Sequence, residues 1–150
     1  MTSGVGPDLA RRRWMSVLAL ASTEELAARW PATVPGFRRL RGPEVGLVMV
    51  RAQAGGTGLR FNLGEITVTR CAVQLADGTV GHACVGGRRP EHAERAAVLD
   101  ALLQQPGGRA ELEAAIVAPL EQAQALRRQG AVARSASSRV EFLTMVRGED

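Results

Sequence analysis

Two glycine-flanked arginines and one histidine are the side chains best placed to do chemistry in this sequence. The run Gly55-Gly56-Thr57-Gly58-Leu59-Arg60-Phe61 can turn backbone N–H groups toward a phosphate, with Arg60 supplying charge. The same run also reads as a flexible connector between strands. Gly86-Gly87-Arg88-Arg89 leads into Pro90, the first position of an expected helix. A helix start offers free N–H groups, and the planar Arg88 fork suits phosphate oxygens. Against that, Pro90 has no N–H, Glu91 and Glu94 already use the helix dipole, and a solvated arginine is the commoner outcome. His92 falls in the first helical turn, where the dipole disfavours its cation. Two readings of it stand: a neutral hydrogen-bonding group toward a substrate or another subunit, or a buried structural residue. No Ser-His-Asp spacing, nucleophile elbow or diagnostic carboxylate pair is present, so no catalytic residue can be assigned. The residues favour a binding or interaction subunit over a stand-alone enzyme.

Composition removes several classes. All nineteen basic residues are arginine. Without lysine, the Gly55–Gly58 loop is not a Walker A loop, and pyridoxal-phosphate Schiff-base chemistry is excluded. Arginine-only usage is also what a GC-rich coding bias produces. The net charge is a mild +4, and two Trp and three Phe give no stacking platform, so nucleic acid is not an expected partner. Cys71 and Cys84 lack CxxC spacing, and His82 and His92 lie ten apart outside an HExxH pattern, so no metal held by this chain alone is expected. No apolar run reaches the ~18 residues of a membrane span. Arg11-Arg12-Arg13 ahead of Trp14–Ala21 resembles a short signal peptide, but Glu24-Glu25 follow at once, and an amphipathic helix is the better reading. A cytoplasmic protein is expected. At 150 residues, 45% of them apolar, the chain reads as a single domain over 1–150 with a core of its own.

The elements expected to position these residues define an α+β fold. Residues 1–7 read as disordered. Asp8 caps a helix over Leu9–Ala21 with Trp14, Val17, Leu18 and Ala21 on one stripe. Ser22 or Thr23 caps a second helix, Glu24–Trp30, closing an N-terminal helical hairpin. Phe37–Arg41 is one strand and Val45–Ala52 another, its near-continuous apolar run suggesting a central strand covered on both faces. Phe61–Leu75 is the longest extended stretch. Ile66 and Val68 share one parity, Cys71, Val73 and Leu75 the other, so either a bulge near Thr69-Arg70 or burial on both faces is required. Asp77-Gly78 predicts a two-residue type I′ hairpin. That turn would set Val73 against His82, giving His82 a structural role, and Cys71 against Cys84. The cysteine pair reads first as two reduced thiols packed as small hydrophobes, with a redox-labile disulfide as the sharper alternative. A helix over Pro90–Gln105 buries His92, Ala96, Leu99, Leu102 and Leu103. Further helix over Arg109–Gln129 is interrupted at Pro119 and closed by Gly130. A polar linker, Ala133–Ser138, then precedes a final strand of Val140, Phe142, Thr144 and Val146.

Read in order, these segments resemble the G subunit of the bacterial carbon–phosphorus lyase core complex. The resemblance is carried by Trp14–Ala19 with Glu25-Leu26-Ala27, Glu44–Val48, Gly55–Phe61, Gly64-Glu65 and Thr67–Arg70. It continues through Asp77-Gly78-Thr79, Gly87-Arg88, His92–Arg95, Asp100-Ala101-Leu102 and Ser138–Gly148. The glycine loop alone is a weak signature; the ordered set spans nearly the whole chain. The resemblance implies a component of ribose 1-methylphosphonate 5-triphosphate synthase, in which a phosphonate displaces adenine from MgATP. The implied partners are the I-type subunit, with nucleosidase activity, the H- and L-type subunits, and a J-type subunit for the later radical cleavage. MgATP would be co-substrate of the complex, with no cofactor bound by this chain alone. Arg60, Arg88 and His92 each fall within a matched signature. Two alternatives stand beside this one: a non-catalytic phosphate- or phosphonate-binding module, and a structural adaptor.

Overall fold

The structure is a computed structural model that describes residues 6–145. Its element order is α1 (Pro7–Leu20), α2 (Thr23–Ala28), β1 (Phe37–Gln53), β2 (Arg60–Leu75), β3 (Val80–Gly86), α3 (Pro90–Gln104), α4 (Arg109–Leu112) and α5 (Ala118–Met145), with a π-helical turn, Glu113–Val117, between α4 and α5. The strands form one antiparallel sheet in the order β1-β2-β3. The α+β class is as expected; several boundaries are not.

The first helix begins earlier than the sequence suggests. Gly6 is its N-cap and Pro7 its first position, so Pro7 is helical and Asp8 sits in the first turn, where a carboxylate favours the dipole. Of the segment expected to be disordered, residues 1–5 lie outside the described residues. At α2, Ser22 and Glu25 form a reciprocal capping box: Glu25 N–H donates to Ser22 Oγ at 3.1 Å, and Ser22 N–H donates to Glu25 Oε2 at 3.1 Å. Both helices pack on α3.

The hairpin at Asp77-Gly78 exists, but with a three-residue loop. Leu75 pairs with Thr79 (Leu75 N–H to Thr79 O, 2.9 Å) around a turn in which Gly78 N–H donates to Leu75 O at 3.0 Å. Gly78 alone takes a positive φ of 91°, so Asp77 does not occupy the second left-handed position that type I′ needs. The pairing therefore slips by one residue from the expected register. Cys71 opposes Ala83, Cys84 opposes Arg70, and His82 opposes Ala72. A one-residue slip reverses the face on which a side chain lies. Cys71 is buried, Cys84 is exposed, both thiols are free, and His82 lies on the exposed face rather than opposite Val73. Cys71 donates to Arg41 O at 3.4 Å, and burial raises its pKa.

The phase change in β2 needs no bulge at Thr69-Arg70, because the β2–β3 register runs unbroken through it. Thr69 continues the buried parity of Cys71, Val73 and Leu75. A polar residue fits that slot because its hydroxyl donates to Gly87 O at 2.7 Å and accepts from Arg89 N–H at 2.9 Å. The irregularities lie along the β1–β2 pairing instead, between Arg39 and Arg41, between Arg41 and Glu44, and between Val50 and Arg51. They join the two expected strands, Phe37–Arg41 and Val45–Ala52, into one seventeen-residue β1. It is an edge strand, not a central one. Leu47 is 64% exposed and Met49 49%.

The core gathers round α3. Ala93, Ala97, Val98, Leu99 and Ala101 are wholly buried, facing Val73 and Val85 of the sheet, Trp14 and Leu18 of α1, and Val117 and Leu120 beyond. Gly81 makes the closest approach: a Cβ there would lie 1.9 Å from Ala97 O. Pro119 does not interrupt the C-terminal helix. The preceding turn widens to π geometry, with Ala118 N–H bonding Glu113 O, and so accommodates the missing N–H. Gly130 does not close the helix, whose interior tolerates glycine at a cost of about 1 kcal/mol. The expected linker at Ala133–Ser138 is helical. Val140, Phe142 and Thr144 also fall in α5, so the final strand is replaced by helix; Val146 lies outside the described residues.

Candidate functional site

The residues singled out by sequence are placed at separate points. The Ala54–Leu59 loop joins β1 to β2 at the tip of their shared ribbon. Its conformation depends on glycine at Gly55, with φ +67°, and at Gly58, where a Cβ would meet Ala54 O at 1.8 Å. Gln53 Nε2 donates to Gly58 O at 2.8 Å, tying the loop across its base. Arg60 follows it, exposed and opposite Gln53. Arg88 is also exposed, at the corner where Gly87 N–H bonds Thr67 O at 2.8 Å. Seven residues of β2 separate Arg60 from Thr67, or roughly 23 Å at ~3.3 Å per residue. The structure therefore does not bring Arg60 and Arg88 together within this chain.

His92 is buried beneath that corner, 1% exposed. Its Nε2–H donates to Leu18 O at 2.8 Å, and Nδ1 has no partner among the described residues. Burial pushes its pKa below the ordinary value, and the nearby Arg89 and Arg95 cations push the same way, while the bond to Leu18 opposes them. His92 belongs to a set that closes the C-terminus of α1. Arg89 Nη1 donates to Ala21 O at 3.1 Å, a carbonyl the helix end leaves open, and Gln124 Nε2 adds a bond at 2.8 Å to Val17 O, which also accepts from Ala21 N–H at 3.1 Å. Of the adjacent arginine pair, Arg89 is therefore engaged with α1, and Arg88 remains turned outward.

Two open grooves flank these residues. One, of about 460 Å³, lies beside the start of α3 and is lined by Trp30, Phe37, Arg39, Glu94 and Arg95 among others. Three of its four charged side chains are engaged: Arg39 pairs with Glu94 at 2.7 Å and Arg95 lies over the Trp30 ring at 5.8 Å, whereas Glu91 makes no ion pair among the described residues. The other, of about 590 Å³, lies on the sheet face away from α3 and collects Arg41, Arg70, His82 and Cys84 beside Met15 and Leu40. Arg70 makes no ion pair among the described residues. No group of three potential metal-ligating side chains occurs among them either.

Asp100, which enters the sequence argument only within the family segment Asp100-Ala101-Leu102, has several structural partners. Asp100 is fully buried and accepts from Arg11 through both carboxylate oxygens (3.1 and 2.8 Å), from Trp14 Nε1 at 2.9 Å and from His82 N–H at 2.9 Å. The Arg11 guanidinium gains from the same bonds, which raise its pKa. The available signal was a lone carboxylate inside the apolar run Ala96–Leu103.

This is an α+β chain whose buried polar side chains, His92 Nδ1 apart, are tied into structure and whose outward arginines are spread over a corner, an outer groove and a ribbon tip. The chain belongs to the family described as phosphonate metabolism protein PhnG, whose pattern matches residues 9–148. It is 45% identical over 142 residues to the alpha-D-ribose 1-methylphosphonate 5-triphosphate synthase subunit PhnG of Rhizobium meliloti (strain 1021), a match covering 93% of this chain and 90% of that one.

Proposed function

We propose that this chain is the PhnG-type component of ribose 1-methylphosphonate 5-triphosphate synthase in the carbon–phosphorus lyase system, active only in company with its partner subunits. The observation that carries this is the 45% identity to a named subunit of that synthase across 93% of the chain. In the reaction the ribose C1′–N9 bond of MgATP breaks, a C1′–O bond to the phosphonate forms, and adenine leaves. The I-type subunit supplies the nucleosidase chemistry, H- and L-type subunits complete the assembly, and a J-type subunit acts in the later cleavage. A cytoplasmic location fits a nucleotide co-substrate; among the described residues no helix is long and apolar enough to cross a membrane.

Within such a complex Arg88 is the best-placed cation of this chain for a phosphate or phosphonate oxygen, being exposed at the entry to α3. Arg60 would reach an anion only at the far end of the ribbon. His92 acts from beneath, holding α1 against the corner that carries Arg88. The test is adenine release from MgATP with methylphosphonate. The isolated chain should release none, and the reconstituted complex should require it. Arg88→Ala should lower turnover about ten- to a hundredfold if the charged hydrogen bond is worth ~1.5–3 kcal/mol. Full activity of a mutant complex of confirmed stoichiometry would reduce Arg88 to a surface residue, and turnover by a complex lacking the chain would refute the proposal itself.

A further inference from the structure

Beyond the end of β3, β1 and β2 continue as a two-stranded ribbon. β3 reaches only as far as Val68, whereas the β1–β2 pairing continues to Gln53 and Arg60. The register sorts this ribbon into two unlike faces. On the side of α3, Leu47 and Met49 of β1 stand among Thr67, Glu65, Arg51 and Asn62. On the other side Val48 opposes Ile66, Val50 opposes Gly64 and Ala52 opposes Phe61, so no charged or hydrogen-bonding side chain interrupts the face. Ile66 is 48% exposed and Phe61 47%. A lone two-stranded ribbon is at best marginally stable in water, and contiguous apolar patches on a monomer rarely exceed a few hundred Å². This one ends at the Gly46–Val68 rung, where Val68 is buried and the Arg70 guanidinium lies across Gly46, and the outer groove with Arg70, His82 and Cys84 begins there.

Charge decides between candidate occupants. Residues 37–70 contain six arginines and two glutamates, a surplus of four that equals the net charge of the whole chain. Arg39 is tied to Glu94 and Arg41 to Glu44, but Arg51, Arg60 and Arg70 form no ion pair among the described residues. Packing this face on a second copy would oppose two equally positive surfaces. A partner with an apolar surface rimmed by carboxylates would meet both the apolar strip and the free guanidinium groups at its margins.

We propose that the outer face of the β1–β2 ribbon, from Phe61 to Arg70, is the surface by which this chain docks onto a different subunit whose contact surface is apolar with an acidic rim. This rests on the subunit reading above and adds where the contact lies and what it recognises. The test uses the full chain and the remaining subunits of the reconstituted synthase. Ile66→Glu places a carboxylate in the middle of the strip, Val48→Glu does so on the opposing strand, and Arg70→Glu reverses a rim charge. Glu65→Gln, on the other face, is the control. Capture by the partner subunits should weaken at least a hundredfold for both strip variants and about tenfold or more for Arg70→Glu, with the control unchanged. Circular dichroism melting of each isolated variant should match the parent. Since only one of the two strip variants needs to keep the parental melt, the test survives a folding failure in the other. Parental capture by either folded strip variant would overturn the proposal. So would sedimentation showing the parent chain alone as a dimer that Ile66→Glu dissolves while capture persists, since a second copy would then be the occupant. If capture behaves as expected but adenine release proves independent of the chain, the docking surface stands and the synthase role fails.

Discussion

Strand β3 and the distal half of β1 both lie at the edge of one sheet, and the chain treats them in opposite ways. Three outward backbone groups of β3 are taken by side chains. His82 N–H donates to Asp100, Val80 O accepts from Gln104 Nε2 at 2.8 Å, and Gly86 O accepts from Arg89 Nε at 2.9 Å. Helix α3 lies so close that only glycine fits at Gly81. No helix among the described residues covers the distal half of β1, and its large apolar residues stay exposed. An open apolar edge is a pairing hazard that proteins blunt or cover. Here α3 covers one edge with its own side chains and leaves the other for an external surface.

The contrast requires the two halves to respond differently to comparable changes. The largest effect is expected at Asp100. Asp100→Ala removes the acceptor for Arg11, Trp14 and His82 at once. Leaving Trp14 Nε1 and the His82 N–H without their acceptor should cost about 1–3 kcal/mol for each donor, read by urea unfolding. An effect below about 1 kcal/mol would mean that the β3 edge is not held as described. Gly81→Ala should follow, since the new methyl group meets the backbone of α3; overpacking costs roughly 1–3 kcal/mol. The same change at Gly64, where a Cβ meets nothing within 4 Å, should fall within about ±0.5 kcal/mol.

Acidity probes the corner between the halves. The folded pKa of His92 lies below its ordinary 6.5, so the unfolded chain takes up the proton first as pH falls. The contribution of His92 to stability is therefore complete above about 6.5 and is lost as pH drops toward the folded value. His92→Gln, which keeps a side-chain donor, should flatten unfolding free energy between about pH 8 and 5 relative to the parent. An unchanged slope would mean that His92 titrates normally in the folded chain. The smallest effect on the isolated chain is expected on the ribbon, where Leu47→Ser should alter stability by no more than ~0.5 kcal/mol despite deleting a large apolar side chain.

Much of this was readable from residue order, for reasons that can be named. The apolar stripes of α1 and α3 have helical spacing, Pro90 sits where a helix tolerates it, and Ser22 with Glu25 forms a cap through local bonds alone. The candidate site was less legible. Arg60 and Arg88 sit beside similar glycine runs, yet one is at a ribbon tip and the other at a helix entry, and nothing local records the separation. His92 was open to two readings because its partner, Leu18, lies 74 residues away. The apolar run of β1 was misread because continuous hydrophobicity marks burial on both faces only when the covering layers belong to the same chain.

Local chemistry determined where α1, α2, the β2–β3 hairpin and α3 lie, through the caps, the stripes and the turn at Asp77-Gly78, but not the helical C-terminus. Tertiary packing decided the register and the edges. Asp-Gly is compatible with a two- or a three-residue loop, which differ by one residue of pairing. The three-residue form puts Thr69, Cys71, Val73 and Leu75 in the core and sets Gly81 beneath α3, whereas Cys84 is left outside. Because side chains alternate across a strand, that single step separated the two cysteines onto opposite faces of the sheet. A turn cannot encode it, since the helix that makes one face the inside is itself placed only when the whole chain folds.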